Sequence, residues 1–408
     1  MSTTRRGFLQ AAVAPLFIPQ SVFGANDRIN IGVIGVGNRS GLLIDQLPEG
    51  GRIITVADCF VKRCEDAATK RKAKWLIHGD YRRILDNKDV DAVIVGTTDH
   101  TRAIPCIHAC QAGKDIYAEK PLTLYIAEGR ALVKAARKYK RVFQVGSQQR
   151  SMEMNRIACE FVRNGGLGKI TMVQGVNYTS SEKYSGLPEE PIPASLNWDV
   201  WQGQAPTHPY NKKLHTGWMG WRDYAGGEIT NWGAHGLDQL QWALGMDGTG
   251  PVEIWPLGAD GSVAWKYANG VTVQLDQSPK SGLHAGGRIT GEKGTIEIVR
   301  NNFKTDPVGM ITNLPAAEDI DKWRDERALW QARYHMQNWL DCVKSRQKPV
   351  ADVEIGHRSI TLAHLANITR QLNRKLAWDP KKERFPHDAE AQKMVTRVRR
   401  VGYELPKV

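Results

Sequence analysis

Ile29-Asn30-Ile31-Gly32-Val33-Ile34-Gly35-Val36-Gly37-Asn38-Arg39-Ser40-Gly41 is the stretch that decides the fold. Its first six residues are an apolar run of strand type. Its glycines mark a tight turn, and Leu42, Leu43, Ile44 and Leu47 follow at helical spacing. Strand, glycine turn and helix, in that order, are the context in which a G-x-G signals a bound dinucleotide. Gly35 permits the turn, and Gly37 lets the backbone approach a pyrophosphate. Asn38 and Arg39 open the helix whose first N–H groups would receive it. The third glycine place holds Ser40, with Gly41 one residue later, a departure from the full pattern.

A second strand-like run, residues 52–57, ends at Asp58. That acid lies about 20 residues beyond the glycines, where a carboxylate bonds the ribose 2′-hydroxyl. It would repel a 2′-phosphate, so NAD is favoured, while Lys62 and Arg63 keep NADP open. Helix and strand then alternate: helix 61–74, strand 91–95, helix 102–112, strand 116–118, helix 126–139 and strand 142–145. The loop Gly96-Thr97-Thr98-Asp99-His100 supplies Thr97, Asp99 and His100 as further cofactor contacts. Such a series with short loops predicts an α/β fold with a doubly wound parallel sheet.

The strand at 116–118 delivers Ala118-Glu119-Lys120-Pro121-Leu122-Thr123. A lysine at a strand's carboxyl end, fixed by the proline after it, is a cation placed at the cleft where such sheets bind ligands. Lys120 would thus point into the cleft, and it is a candidate catalytic residue and, with Glu119, a candidate cofactor contact.

From about residue 151 the pattern changes. A helix at 155–163 leads through glycines into a strand at 170–176, and residues 188–209 are loop-like. Six of the thirteen tryptophans fall between 198 and 242. So dense a group suits either core packing or stacking on sugar rings. A helix beginning after Gly226-Gly227 carries Asn231, His235 and Asp238 on one face. Histidine exchanges protons near neutral pH, so His235 is the candidate general base. Arg150, Tyr210, His215 and Trp221 are candidate substrate contacts by position and chemistry. Strand-like runs at 252–257, 262–267, 271–275, 287–290 and 295–299 predict an open, mostly antiparallel second sheet. Helices follow at 330–345 and 356–373, and a charged tail from Trp378 runs over the surface.

The chain has 408 residues, enough for two cored domains, and a formal charge of +13. Its basic residues are dispersed without aromatic interleaving, which argues against nucleic acid as a partner. Six cysteines form no C-x-x-C and no zinc-spaced cluster, so no metal site is expected. Thr4-Arg5-Arg6-Gly7-Phe8-Leu9 and the apolar stretch from Ala11 to Ile18 read as a twin-arginine export signal over residues 1–25. That predicts a periplasmic or other extracytoplasmic protein, with no membrane segment in its mature form. An enzyme there has no free nucleotide pool, so it should hold its cofactor tightly and recycle it in place.

The twin-arginine start, Gly35/Gly37, Asp58, Glu119-Lys120-Pro121 and Gly226-Gly227 through His235 together resemble the Gfo/Idh/MocA oxidoreductases, and most closely their exported branch. The resemblance implies an N-terminal Rossmann domain, residues 26–150, and a C-terminal α/β domain, residues 151–375, whose open sheet often makes oligomer contacts. A tail completes the chain at 376–408, and a homodimer or homotetramer is expected. The resemblance also implies that Lys120 contacts nicotinamide ribose and substrate, and that His235 is the catalytic histidine. Many members carry aspartate where this chain has Asn231, and Ala225 replaces a glycine of the usual triplet. The implied activity is hydride transfer between NAD(P) and a sugar, glycoside or polyol. An NAD-dependent glycosidase working by transient oxidation and elimination is the alternative, and a non-catalytic sugar-binding protein a third reading.

Overall fold

The computed structural model describes residues 28–314 and 329–408. The export signal read at residues 1–25 lies outside them. The first half alternates as the sequence predicts: β1 (Ile29–Ile34), α1 (Asn38–Asp45), β2 (Gly51–Ala57), α2 (Val61–Arg71), β3 (Leu76–His78), α3 (Arg82–Asp86), β4 (Ala92–Val95), α4 (Ala103–Gln111), β5 (Asp115–Ala118), α5 (Ile126–Lys138) and β6 (Phe143–Val145). The short strand β3 and short helix α3 were not anticipated. The six strands are parallel in the order β3-β2-β1-β4-β5-β6. This is the doubly wound dinucleotide-binding arrangement, with its crevice where the order reverses between β1 and β4.

Side-chain alternation divides this sheet between two cores. Ile31, Val33, Val56, Ile94 and Tyr117 face one side, and Ile34, Ala57, Val93, Val95 and Ile116 the other. The second face packs on α4 and α5 and runs on into the core of the C-terminal half. The first is covered by residues from far along the chain, Met336, Trp339 and Leu340.

The second half comprises α6 (Glu153–Arg163), β7 (Ile170–Val176), α7 (Trp198–Gln202), α8 (Lys212–Thr216), α9 (Glu228–Asn231), α10 (Gly233–Ala243), β8 (Glu253–Pro256), β9 (Val263–Lys266), β10 (Thr272–Gln277), β11 (Gly287–Gly291), β12 (Gly294–Val299) and β13 (Asn302–Asp306). It ends with α11 (Leu329–Ser345), α12 (Val353–Leu372), β14 (Leu376–Ala377) and α13 (Ala389–Lys393). The eight strands run β13-β12-β11-β7-β10-β9-β8-β14, antiparallel except between β7 and β10. Val173, Val273, Ile289 and Trp265 are buried on one face, while Gln174, Arg288 and Glu297 are half-exposed on the other. The edge strand β13 was not anticipated, because Asn302-Phe303-Lys304-Thr305-Asp306 offers one apolar side chain only.

Arg150, expected to touch substrate, instead stitches the halves together. Its guanidinium pairs with Asp238 at 2.8 Å and Asp247 at 2.7 Å, and lies 5.2 Å over the Trp242 ring. Asp238 also accepts from Ser359 Oγ at 2.6 Å. The segment after β6, helix α10 and helix α12 therefore meet on one buried charge cluster. Removing the cation would leave two carboxylates in the cluster without a counter-charge, Asp238 keeping only the Ser359 hydroxyl. Arg150→Ala is expected to lower stability by about 3–5 kcal/mol in denaturant unfolding, with a matching fall in Tm.

Candidate active site

A cleft of about 2280 Å³ opens over the carboxyl ends of the first sheet's strands. Gly35, Gly37, Asn38, Arg39, Asp58, Thr97, Asp99, Glu119 and Lys120 all line it. Gly35 has φ +82°, and a Cβ there would sit 2.9 Å from Thr97. A Cβ at Gly37 would meet no protein atom within 4 Å, so the space over that glycine is cleft, available to a pyrophosphate. Ser40 fits the third glycine place because Gly96 faces it. Ser40 Oγ donates to the Gly35 carbonyl at 2.5 Å, and a Cβ at Gly96 would lie 2.0 Å from that oxygen. The departure from the full pattern is thus compensated across the turn.

Asp58, the carboxylate expected to meet an adenosine ribose, is held by the backbone around it. Its Oδ2 accepts from the Val36 N–H at 2.7 Å and its Oδ1 from the Phe60 N–H at 2.8 Å. A carboxylate oxygen accepts more than one bond, so both keep capacity for ribose hydroxyls. The next residues are bound to the C-terminal half: Asn197 N–H donates to Cys59 O at 2.8 Å, Val61 N–H donates to Ser195 O at 3.2 Å, and Phe60 and Leu196 form an antiparallel bridge. The loop after β4 is held by the same excursion, residues 195–204, which roofs this side of the cleft, with His100 Nε2 at 2.9 Å from Trp201 O and Gln204 Nε2 donating to His100 O. The tail ties this roof down. Arg400 donates to Gly203 O at 2.7 Å and pairs with Asp199, while Arg399 pairs with the buried Glu128 of α5 at 3.0 Å.

At the other end of the cleft, Glu119 pairs with Arg39 at 2.8 Å and accepts from the Lys120 N–H at 3.0 Å. Lys120 Nζ crosses to the second half and donates to Asn231 Oδ1 at 2.8 Å and Asn231 O at 3.1 Å. Burial pushes Lys120 down to about 8, against the opposing pull of Glu119 and Asp99. Burial pushes Asp99 up to about 6, against Arg102 and Lys120. His235, one helical turn beyond Asn231, is held well below the ordinary imidazole value, first by burial and then by Lys120, Arg300, Arg39 and His284. It is therefore neutral at neutral pH, with a nitrogen able to accept a proton.

Four expected contacts lie elsewhere. His100 points into the aromatic packing under the roof, 4.8 Å from Tyr224 and 5.3 Å from Trp201, so it holds the cofactor loop from behind. Arg150 is the buried tie described above. Tyr210 packs edge-on against Trp198 at 5.1 Å, and Trp221 against Tyr184 at 5.5 Å. His215 does line the cleft, beside Arg63 at 3.5 Å. Burial lowers it to about 4. Packing claims most of the tryptophans too: Trp198 and Trp201 stack on each other at 4.5 Å, and Trp232 lies 4.3 Å from His284. Trp198, Trp201 and Trp218 keep edges on the cleft. Many lining residues escaped the sequence reading, His208 and Tyr403 among them. His208, paired with Asp223 at 2.9 Å, and Tyr403 of the tail carry no local motif.

A parallel sheet with a glycine-turn cleft, a carboxylate after its second strand and a Lys120–Asn231 pair at the far end define a two-domain, dinucleotide-binding protein of the oxidoreductase kind, with His235 buried one turn beyond Asn231 and not itself among the residues lining the cleft. The chain belongs to the Gfo/Idh/MocA family. Residues 29–147 match its NAD-binding Rossmann fold and residues 167–405 its C-terminal alpha/beta domain. Among similar proteins, the inositol 2-dehydrogenase of Rubrobacter xylanophilus is 22% identical over 373 residues, spanning 83% of this chain and 90% of that protein. The inositol 2-dehydrogenase of Salmonella typhimurium is 25% identical over 172 residues, spanning 41% of this chain and half of that protein's length. A solved levoglucosan dehydrogenase in complex with NADH shares the fold at TM-score 0.61 and 16% identity, over 86% of this chain and 99% of that one.

NAD fits the site: Asp58 is placed for a free 2′-hydroxyl, and the space over Gly37 is clear of protein atoms. Asp58→Ala is expected to weaken NAD binding about ten- to hundredfold, the worth of hydrogen bonds to a charged group. It should also narrow the preference over NADP. Titration of the nucleotide-free protein with each nucleotide checks both.

Proposed function

We propose that this protein is an NAD-dependent oxidoreductase that moves a hydride between a nicotinamide held in the cleft and a hydroxyl-bearing carbon of a sugar or polyol. The observation that carries the reading is the meeting of Lys120 with Asn231, one turn from a neutral His235, at one end of a dinucleotide cleft. The names of the relatives support a polyhydroxylated substrate and lend nothing to the elimination route. Bound NAD supplies the hydride acceptor. Lys120 donates to the oxygen on the reacting carbon and stabilises the negative charge that grows there. His235 takes the hydroxyl proton as the carbonyl forms, and returns it in the reverse direction. The Asn231 amide orients Lys120 but takes no proton.

The working location in this proposal is outside the cytoplasm, reached through the twin-arginine signal. The roof supports a retained cofactor, because both loops of the adenosine side are bonded to the excursion that covers them. A second substrate would then restore the nucleotide in place. The half-exposed face of the second sheet is the surface proposed for homo-oligomer contacts.

Protein purified without added nucleotide, then denatured, is expected to release close to one NAD per chain. Weak, freely exchanging nucleotide would overturn the retained-cofactor part. In sugar oxidation, kcat should stay level from about pH 6, since His235 is already neutral there. It should fall above about pH 8, as Lys120 loses its proton. His235→Ala should lower kcat by about 10²–10⁴-fold. Full turnover in that variant would remove His235 from the mechanism.

A further inference from the structure

The helix carrying Asn231 and His235 is interrupted between them, α9 ending at Asn231 and α10 beginning at Gly233. The His235 N–H donates to Trp232 O at 3.2 Å. In an unbroken helix it would be aimed at the Asn231 carbonyl. That carbonyl accepts from Lys120 Nζ instead, as does the Asn231 side-chain oxygen. The nitrogen end of the same amide is also engaged, Asn231 Nδ2 donating to Glu228 Oε2 at 3.2 Å. An amide has one accepting end and one donating end, so Glu228 and Lys120 between them fix which way it faces. Glu228 is itself held in place. It is half-buried at the first position of α9, directly after Gly227, which has φ +89° and packs so closely on Ser181 that a Cβ would lie 2.3 Å from its nitrogen.

We propose that Glu228 is a positioning residue for Lys120, its carboxylate holding the Asn231 amide with oxygen toward the ammonium. The negative charge that an aspartate in place of Asn231 would set against the lysine stands one amide further back, and reaches it as an oriented dipole. Lys120 has three N–H donors. Two are taken by Asn231 and one is left for a ligand oxygen, with the ammonium not neutralised at that contact. The inference rests on the hydride-transfer reading above.

The test is a cycle of wild type, Glu228→Ala, Asn231→Asp and the double variant, with Glu228→Gln as the conservative control. The other charged groups around Lys120 and His235, namely Glu119, Asp99, Arg39, Arg102, Arg300 and His284, are the same in all five chains. With Asn231 in place, Glu228→Ala lets the amide turn its NH₂ toward the ammonium. It should lower kcat about ten- to hundredfold with little change in KM, and move the alkaline limb of kcat to lower pH. Glu228→Gln keeps an acceptor for Nδ2 and should retain most of the turnover and the wild-type limb. In the Asn231→Asp background the sign reverses. Glu228 then faces a second carboxylate, so adding Glu228→Ala should raise both kcat and Tm relative to Asn231→Asp alone.

An equal effect of Glu228→Ala in both backgrounds, or an alkaline limb that stays in place, overturns the proposal. A wild type that turns over no sugar overturns the hydride-transfer reading, and with it the role of Glu228 in turnover. The Tm cycle still decides the geometry in that case: opposite signs keep the Glu228–Asn231–Lys120 arrangement, and equal signs remove it.

Discussion

The meeting of the two halves depends on one half-buried ammonium group at the edge of the cleft. Lys120 follows β5, and the hydrogen bonds of its ammonium are made to the other half of the chain. Glu119, its neighbour, is already engaged by Arg39 and by the Lys120 backbone. Both acceptors of the ammonium come from Asn231. The Lys120 end of the cleft is therefore a joint between the halves, and the two must be in register for the lysine to be satisfied. The buried Arg150–Asp238–Asp247 cluster strengthens the same joint from behind, through the helix that carries His235. Burial, which weakens the hold of Lys120 on its proton, also keeps His235 neutral. One act of desolvation thus prepares both the acid-like and the base-like partner.

Much of this was legible in the sequence wherever a motif carries its own physics. A glycine turn between strand and helix, an acid after the second strand and a lysine before proline each demand a local geometry. Each of them lines the cleft. His235 and Asn231 were legible because helical spacing places them on one face. Asp238, on the same face by spacing, turns its side chain to Arg150. Arg150, Tyr210 and Trp221 were selected by residue type, and type does not say which side of a wall a residue occupies. His100 was selected from its loop, but a loop residue can face its own support. The roof was illegible for another reason. The pairings of Leu196 with Phe60, Gln204 with His100 and Arg400 with Gly203 join segments from about 100 to 200 residues apart, and no period or motif marks such contacts.

The covering of the first sheet has a consequence for how the chain is built. Residues 29–145 supply every strand of that sheet, yet one of its faces is closed by Met336, Trp339 and Leu340. During synthesis, which runs from the N-terminus, the half that leaves the ribosome first stays bare on one side until nearly the whole chain has followed. Domains usually finish folding in the order they are made. Here the first cannot, and its early state is an open apolar surface of the kind that chaperones bind. Such non-local closure slows folding. It also means that the nucleotide half cannot be cut out at residue 150 and be expected to stand alone, so in this molecule the two-domain description belongs to function more than to folding.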